Sequence, residues 1–99
     1  RTLMRRGERE RTPHLDVYSA ASPSHFPRFG LVVPKHGRRI VDRNLLRRRL
    51  REVGRREVLP RLRDAGCRLD VLVRTRPDAY TAGYDRLREE LVRWVEGRT

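Results

Sequence analysis

Arg43, Arg47, Arg51 and Arg55 recur at every fourth position of this chain. On an α-helix, residues so spaced lie one above the next on a single face, so the pattern lays out a row of guanidinium groups. A guanidinium is planar, permanently charged and able to donate two parallel hydrogen bonds to a phosphate. Between Arg38 and Arg56 there are nine arginines, at positions 38, 39, 43, 47, 48, 49, 51, 55 and 56, opposed only by Asp42 and Glu52. A solvated helix face usually intersperses both signs, giving favourable pairs at i,i+4. A face this one-sided repels itself and calls for a polyanion, and the chemistry it predicts is recognition of a nucleic-acid backbone.

Residue types that could make or break bonds are not arranged to do so. His14, His25 and His36 are eleven residues apart, without metal-ligand spacing. Cys67 reads as a small core hydrophobe, and Ser24-His25 lacks a third partner. Asp16, Asp70 and Asp78 form no carboxylate pair, and there is no glycine-rich phosphate loop. Neither a catalytic residue nor a metal site on the protein is expected.

The arginine row needs a helix to carry it. Leu46, Leu50 and Val53 fall at i, i+4 and i+7, an apolar stripe on another face of the same helix. Asn44 is expected to cap this helix, which runs to about Leu59, with Pro60 marking its end. Ahead of it, Leu15–Tyr18 alternates apolar and polar residues and reads as a strand. Phe29–Val33 reads as a second strand, closed by Pro34, with a loop or hairpin connection over Ser19–Pro27 and a turn over Lys35–Arg39. Leu69–Val73 is expected to be a buried strand. Tyr84, Leu87, Leu91, Trp94 and Val95 sit at helical spacing and predict a last helix over Tyr84–Glu96. Residues 1–11 are polar and basic apart from Leu3 and Met4, and with Gly7 as a stop they read as the tail of an incomplete N-terminal helix. Tyr18 falls on the strand side opposite Leu15 and Val17. Exposed there, it can stack a base; half-buried, it is a strand residue.

With 99 residues, one domain over 1–99 is expected, with a modest core: 36% of residues are hydrophobic and 38% charged. Mixed strands and helices indicate an α+β fold with paired helices on one sheet face. The net charge is +12 and the pI about 11.5. Arginine supplies all the basic residues but Lys35, a preference that codon usage explains, though the net charge is not explained that way. A single cysteine forbids an internal disulfide and suits a cytoplasmic protein. By charge alone RNA, DNA and an anionic membrane all qualify as partners; no apolar run can span a bilayer, and no membrane partner is expected. DNA is not expected either, since no helix-turn-helix pair or dimer seam is visible.

Phe29-Gly30-Leu31-Val32-Val33-Pro34-Lys35, followed by Val41-Asp42-Arg43-Asn44-Leu45-Leu46-Arg47-Arg48-Arg49-Leu50-Arg51-Glu52, resembles the bacterial ribonuclease P protein component. In that family a strand ending in a Ser/Pro-Lys turn leads to an Arg-Asn-Arg motif and a basic helix ending in Leu-Arg-Glu. Leu15–Tyr18, Asp70–Arg76 and Tyr84–Val95 match its first strand, its Asp-led last strand and its C-terminal helix in order. The resemblance implies a single-domain αβ sandwich: a mostly antiparallel four-stranded sheet packed by helices, with a left-handed β-α-β crossover, as in a ribosomal protein domain. It implies an accessory subunit of a tRNA-processing endoribonuclease. The helix bearing the motif contacts the catalytic ribonuclease P RNA, and a cleft beside the sheet holds the 5′ leader of precursor tRNA. Mg²⁺ is bound mainly by the RNA subunit and substrate, and the RNA cuts the phosphodiester. The residues expected to bind RNA are Tyr18, Lys35, Arg38, Arg39, Arg43, Asn44, Arg47, Arg48, Arg51 and Arg55. A basic structural RNA-binding protein of the ribosomal type is the alternative, since it would share this charge and size.

Two positions depart from the family. Leu45 stands where the motif usually has its second arginine, and Gly54 where an aromatic or small apolar residue is frequent. The family's first helix carries aromatics that line the leader cleft, so part of that cleft is expected outside this chain.

Overall fold

A computed structural model of the chain describes residues 7–99. Its order is β1 (Glu8–Arg11), β2 (Leu15–Ala21), β3 (Arg28–Val32), α1 (Ile40–Val53), a π-helical turn (Gly54–Val58), α2 (Leu59–Asp64), β4 (Leu69–Thr75), a short 3₁₀ segment (Pro77–Thr81) and α3 (Tyr84–Glu96). The four strands form one sheet in the order β1-β2-β4-β3. β2 is antiparallel to both of its neighbours, while β3 runs parallel to β4. That parallel pair requires a crossover connection, which α1, the π turn and α2 provide.

The core forms on one face of this sheet. Leu15 and Val17 of β2 and Val71 and Val73 of β4 meet Leu46, Leu50 and Val53 of α1, together with Leu87, Leu91, Trp94 and Val95 of α3. The apolar spacing in the sequence therefore selects the packed faces of both long helices. α3 covers the expected residues to its ends.

Four expectations are corrected. Ser19–Ala21 continues β2 instead of opening a connection, because these residues pair with Leu69–Val71 of β4, and β4 separates β2 from β3, so the two are not a hairpin. Glu8–Arg11 is a strand, not the tail of a helix; the rest of the expected N-terminal helix lies outside the described residues. All four residues of β1 are exposed, so no alternation marks it, and its backbone pairing with Asp16–Ser19 decides the conformation. Asn44 does not cap α1. The helix begins five residues earlier, with Arg39 extended at the N-cap and Asp42 in the first turn, where a carboxylate suits the positive end of the helix dipole. Pro60 does not end the helical path either. In a straight α-helix its ring would press on the Arg56 carbonyl. The widened turn just before it, with the Leu59 N–H donating to Gly54 O, absorbs the proline, and helix resumes to Asp64.

Polar clamps close the layers. Glu57 accepts from Arg61 at 2.6 Å and from Arg88 at 2.7 Å, joining the π turn to α2 and α3. These two guanidinium partners hold its carboxyl below the ordinary value of 4.5. Glu90, 6% exposed on α3, accepts from the Thr12 hydroxyl at 2.6 Å, from the His14 backbone N–H at 3.0 Å and from His14 Nδ1. Arg76 donates to Asp16 at 2.9 Å, to Leu15 O at 2.7 Å and to Thr12 O.

Candidate nucleic-acid interface

The apolar stripe of α1 faces the core, so its arginines are turned toward solvent and toward the outer edge of the sheet. β3 is that edge, paired only with β4. Arg43 is half-buried, and its Nη2 donates to Val33 O at 3.3 Å, pinning the start of α1 to the end of β3. Arg47 and Arg51 follow along the same edge. With Phe29, Gly30 and Leu31 of β3 they line a groove of about 140 Å³. Two cations thus stand over an apolar floor beside a free strand edge.

Pairing sorts the remaining arginines. Arg39 donates to Asp42 at 3.2 and 3.4 Å, and Arg55 to Glu52 at 2.5 to 3.1 Å. Arg55 holds the Glu52 carboxyl below its ordinary value. Arg56 approaches the same carboxylate at 3.4 Å. Arg47 donates to Asn44 Oδ1 at 3.3 Å, a neutral partner that leaves its charge uncompensated. Arg48, Arg49 and Arg51 are exposed, with no acidic partner among the described residues. Arg38 lies 5.0 Å from the centre of the Tyr80 ring, a cation–π contact. Lys35 is exposed in the turn before α1.

Of the expected site residues, Arg38, Arg39, Arg43, Asn44, Arg47, Arg48, Arg51 and Arg55 therefore lie on or beside one helix, with Lys35 just ahead of it. Tyr18 does not join them as an exposed ring. It lies on the sheet face away from the helical core, opposite Leu72, and is 6% exposed, so the expected stacking surface is closed. Three further side chains do join. Arg49 was visible as one of the nine arginines but falls outside the fourfold spacing. Phe29 and Leu31 carry no local signal for a groove, because only the crossover brings Arg47 and Arg51 against them.

The chain matches the protein family described as Ribonuclease P over residues 1–97. It belongs to the ribonuclease P protein family. The ribonuclease P protein component of Pseudarthrobacter chlorophenolicus is 38% identical over 90 residues. That alignment takes in 90% of this chain and 63% of the relative, so the chain spans less than two thirds of that protein's length. The RNase P protein of Thermotoga maritima superposes with a TM-score of 0.77, over 97% of this chain and 87% of that one, at 20% identity. The Staphylococcus aureus RNase P protein gives 0.77 over 98% and 85%, at 19% identity. These two likenesses bear on the fold, and they agree with the α+β sheet-and-helix architecture of this chain.

The two departures from the ribonuclease P pattern have distinct surroundings. Leu45 is 42% exposed near the start of α1, with Arg48 and Arg49 at i+3 and i+4, so positive charge is retained around it. Gly54 lies under the ring of Phe29. A Cβ built on it would come within 2.8 Å of Phe29 Cγ and closer to the ring's Cδ2 and Cε2. The strand, not the helix, supplies the aromatic volume at this point.

Proposed function

We propose that this chain acts as the protein subunit of a ribonuclease P ribonucleoprotein, binding the catalytic RNA along α1 and the 5′ leader of precursor tRNA along the β3 edge. The single observation that carries this reading is the placement of Arg47 and Arg51 over the Phe29–Leu31 groove, beside the uncompensated Arg48 and Arg49. Guanidinium groups neutralise phosphates and release condensed counterions, which supplies affinity without a sequence code. An apolar floor within reach of those phosphates accepts the unstacked bases of a single strand. Both properties suit a leader that has no duplex partner.

The protein's part in the reaction is binding and orientation. Among the described residues, no three His, Cys, Asp or Glu side chains form a group that could hold a metal ion. When bound by the RNA subunit and substrate, Mg²⁺ supplies charge stabilisation at the scissile phosphate. The arginines of this chain hold the substrate strand and lower the repulsion between two polyanions. Such a particle works in the cytoplasm. Among the described residues no helix is long and apolar enough to cross a membrane.

The test is reconstitution with a bacterial ribonuclease P RNA at low Mg²⁺. Restored removal of the 5′ leader is the expected result. Absence of any stimulation, with folded protein and active RNA, rejects the assignment.

A further inference from the structure

A second recess lies at the N-terminal end of α1, apart from the Phe29 groove. It is lined by Arg38, Asp42, Leu45, Leu46, Arg49 and Tyr80 and has a volume of about 90 Å³. Tyr80 belongs to the 3₁₀ segment, and its hydroxyl donates to Pro34 O at 2.9 Å, which fixes the ring. Arg38 already lies against that ring. The Asp42 carboxylate accepts two long bonds from Arg39, at 3.2 and 3.4 Å, and so keeps lone pairs unused. Three of the four exposed large hydrophobic side chains among the described residues, Ile40, Val41 and Leu45, lie on this helix end.

This combination is not what a phosphate needs. A carboxylate repels phosphate, and an anion has no use for an aromatic ring and a leucine wall. A flat heterocycle carrying hydrogen-bond donors fits all of them. Single-stranded bases are read by stacking on aromatic and guanidinium planes together with hydrogen bonds to the Watson–Crick edge. Of the four bases, guanine alone presents two adjacent donors on that edge, N1–H and the exocyclic amine, which match the two oxygens of a carboxylate. Adenine and cytosine place a single amine beside an acceptor, and uracil sets its one donor between two acceptors.

Resting on the proposal that the chain binds RNA, we propose that this recess is a base pocket for an unpaired guanine of the RNA partner. The guanine stacks on Tyr80 in the layer Arg38 now occupies, and Arg38 closes over its outer face. Asp42 accepts from N1–H and the exocyclic amine, Leu45 forms the side wall, and Arg49 takes the adjoining phosphate. Leu45 at the exposed end of α1 then serves base recognition, while the arginine row further along serves the backbone.

The test uses the full chain and fluorescein-labelled pentauridylate, compared with the same oligonucleotide carrying a central guanosine, adenosine or cytidine, by anisotropy at low salt. The guanosine probe is expected to bind about tenfold more tightly than the other three, a discrimination that a bidentate base contact can supply. Asp42→Asn removes one negative charge and tightens every probe, so the ratio is the readout, and the preference should disappear. Tyr80→Leu should also remove it, with thermal melting as the check on folding; Asp42→Asn, a surface change, stands as the second variant. Equal affinities for all four probes in the wild type, or a preference retained in Asp42→Asn, would overturn the pocket. Equal affinities with successful reconstitution overturn the pocket alone. Failure of every probe to bind, together with failed reconstitution, overturns the RNA-binding reading as well.

Discussion

The ring of Phe29 on β3 packs against the backbone of Gly54, the first residue of the π-helical turn, with no room for a side chain between them. Gly54 has an ordinary helical conformation, φ −58° and ψ −44°, so its need for glycine is steric, and the nearest atoms a Cβ would meet all belong to Phe29. Gly54→Ala should therefore destabilise the fold by about 1–3 kcal/mol, the usual range for overpacking. In a Phe29→Leu background the same change should cost less or even stabilise, because alanine is the better helix former by about 1 kcal/mol. Urea unfolding of the four proteins of this cycle measures the coupling, and additivity would show that the contact does not constrain position 54.

Glu90 stands in a buried position with three hydrogen bonds from Thr12 and His14. Removing the carboxylate strands those donors at the corner between β1 and β2. Glu90→Leu should cost about 3 kcal/mol or more, in the range for breaking a buried charged network, and hydrogen exchange should rise first in β1. A melting temperature equal to wild type would show that water satisfies the corner equally well.

The depressed carboxyls set an acid limit. Glu57 is held below its ordinary 4.5 by Arg61 and Arg88, and Asp70 below its ordinary 3.8 by Arg28. A carboxyl depressed in the folded state contributes stability that is fully present above its unfolded value. That contribution disappears as pH falls through the folded value. Stability should therefore hold from neutral pH down to the ordinary carboxylate range and decline below it. Glu57→Gln should be less stable than wild type at pH 7 and show a shallower decline in acid. Chemical denaturation across that range reads the two slopes, and parallel curves would show that Glu57 does not set the limit.

The arginines of α1 should divide by function. Arg48→Ala and Arg51→Ala remove exposed cations and should change folding stability by less than about 0.5 kcal/mol. Each should reduce the slope of log affinity against log salt for single-stranded RNA by about 0.7, the share of one phosphate contact. Arg43→Ala should differ, because its side chain also ties α1 to Val33, and should lower stability together with affinity. Leu50→Ala, fully buried, should cost about 2–5 kcal/mol. Salt titrations paired with urea melts separate the two groups, and a loss of stability for Arg51→Ala equal to that for Leu50→Ala would contradict the division.

Local patterns determined much of this protein. The spacing of Tyr84, Leu87, Leu91, Trp94 and Val95 defined α3, and Leu46, Leu50 and Val53 defined the buried side of α1. Once that side was settled, helical geometry put the arginine row outside it, and the order of the central motif marked the family. Each of these is legible because side-chain periodicity records which face of an element meets the core. What lay beyond reach depended on partners distant in the chain. Glu8–Arg11 has no apolar alternation and is a strand because β2 offers it a backbone ladder. Tyr18 faces away from the helical core and is nevertheless buried, and no count along β2 distinguishes a covered second face from an open one. Arg43 appeared equivalent to Arg47 and Arg51 until the crossover brought Val33 O to it. The same crossover set Phe29 and Leu31 under the arginines and Tyr80 beside Asp42. Tertiary structure decided these grooves because a groove is a relation between two surfaces, and a sequence pattern specifies one surface at a time.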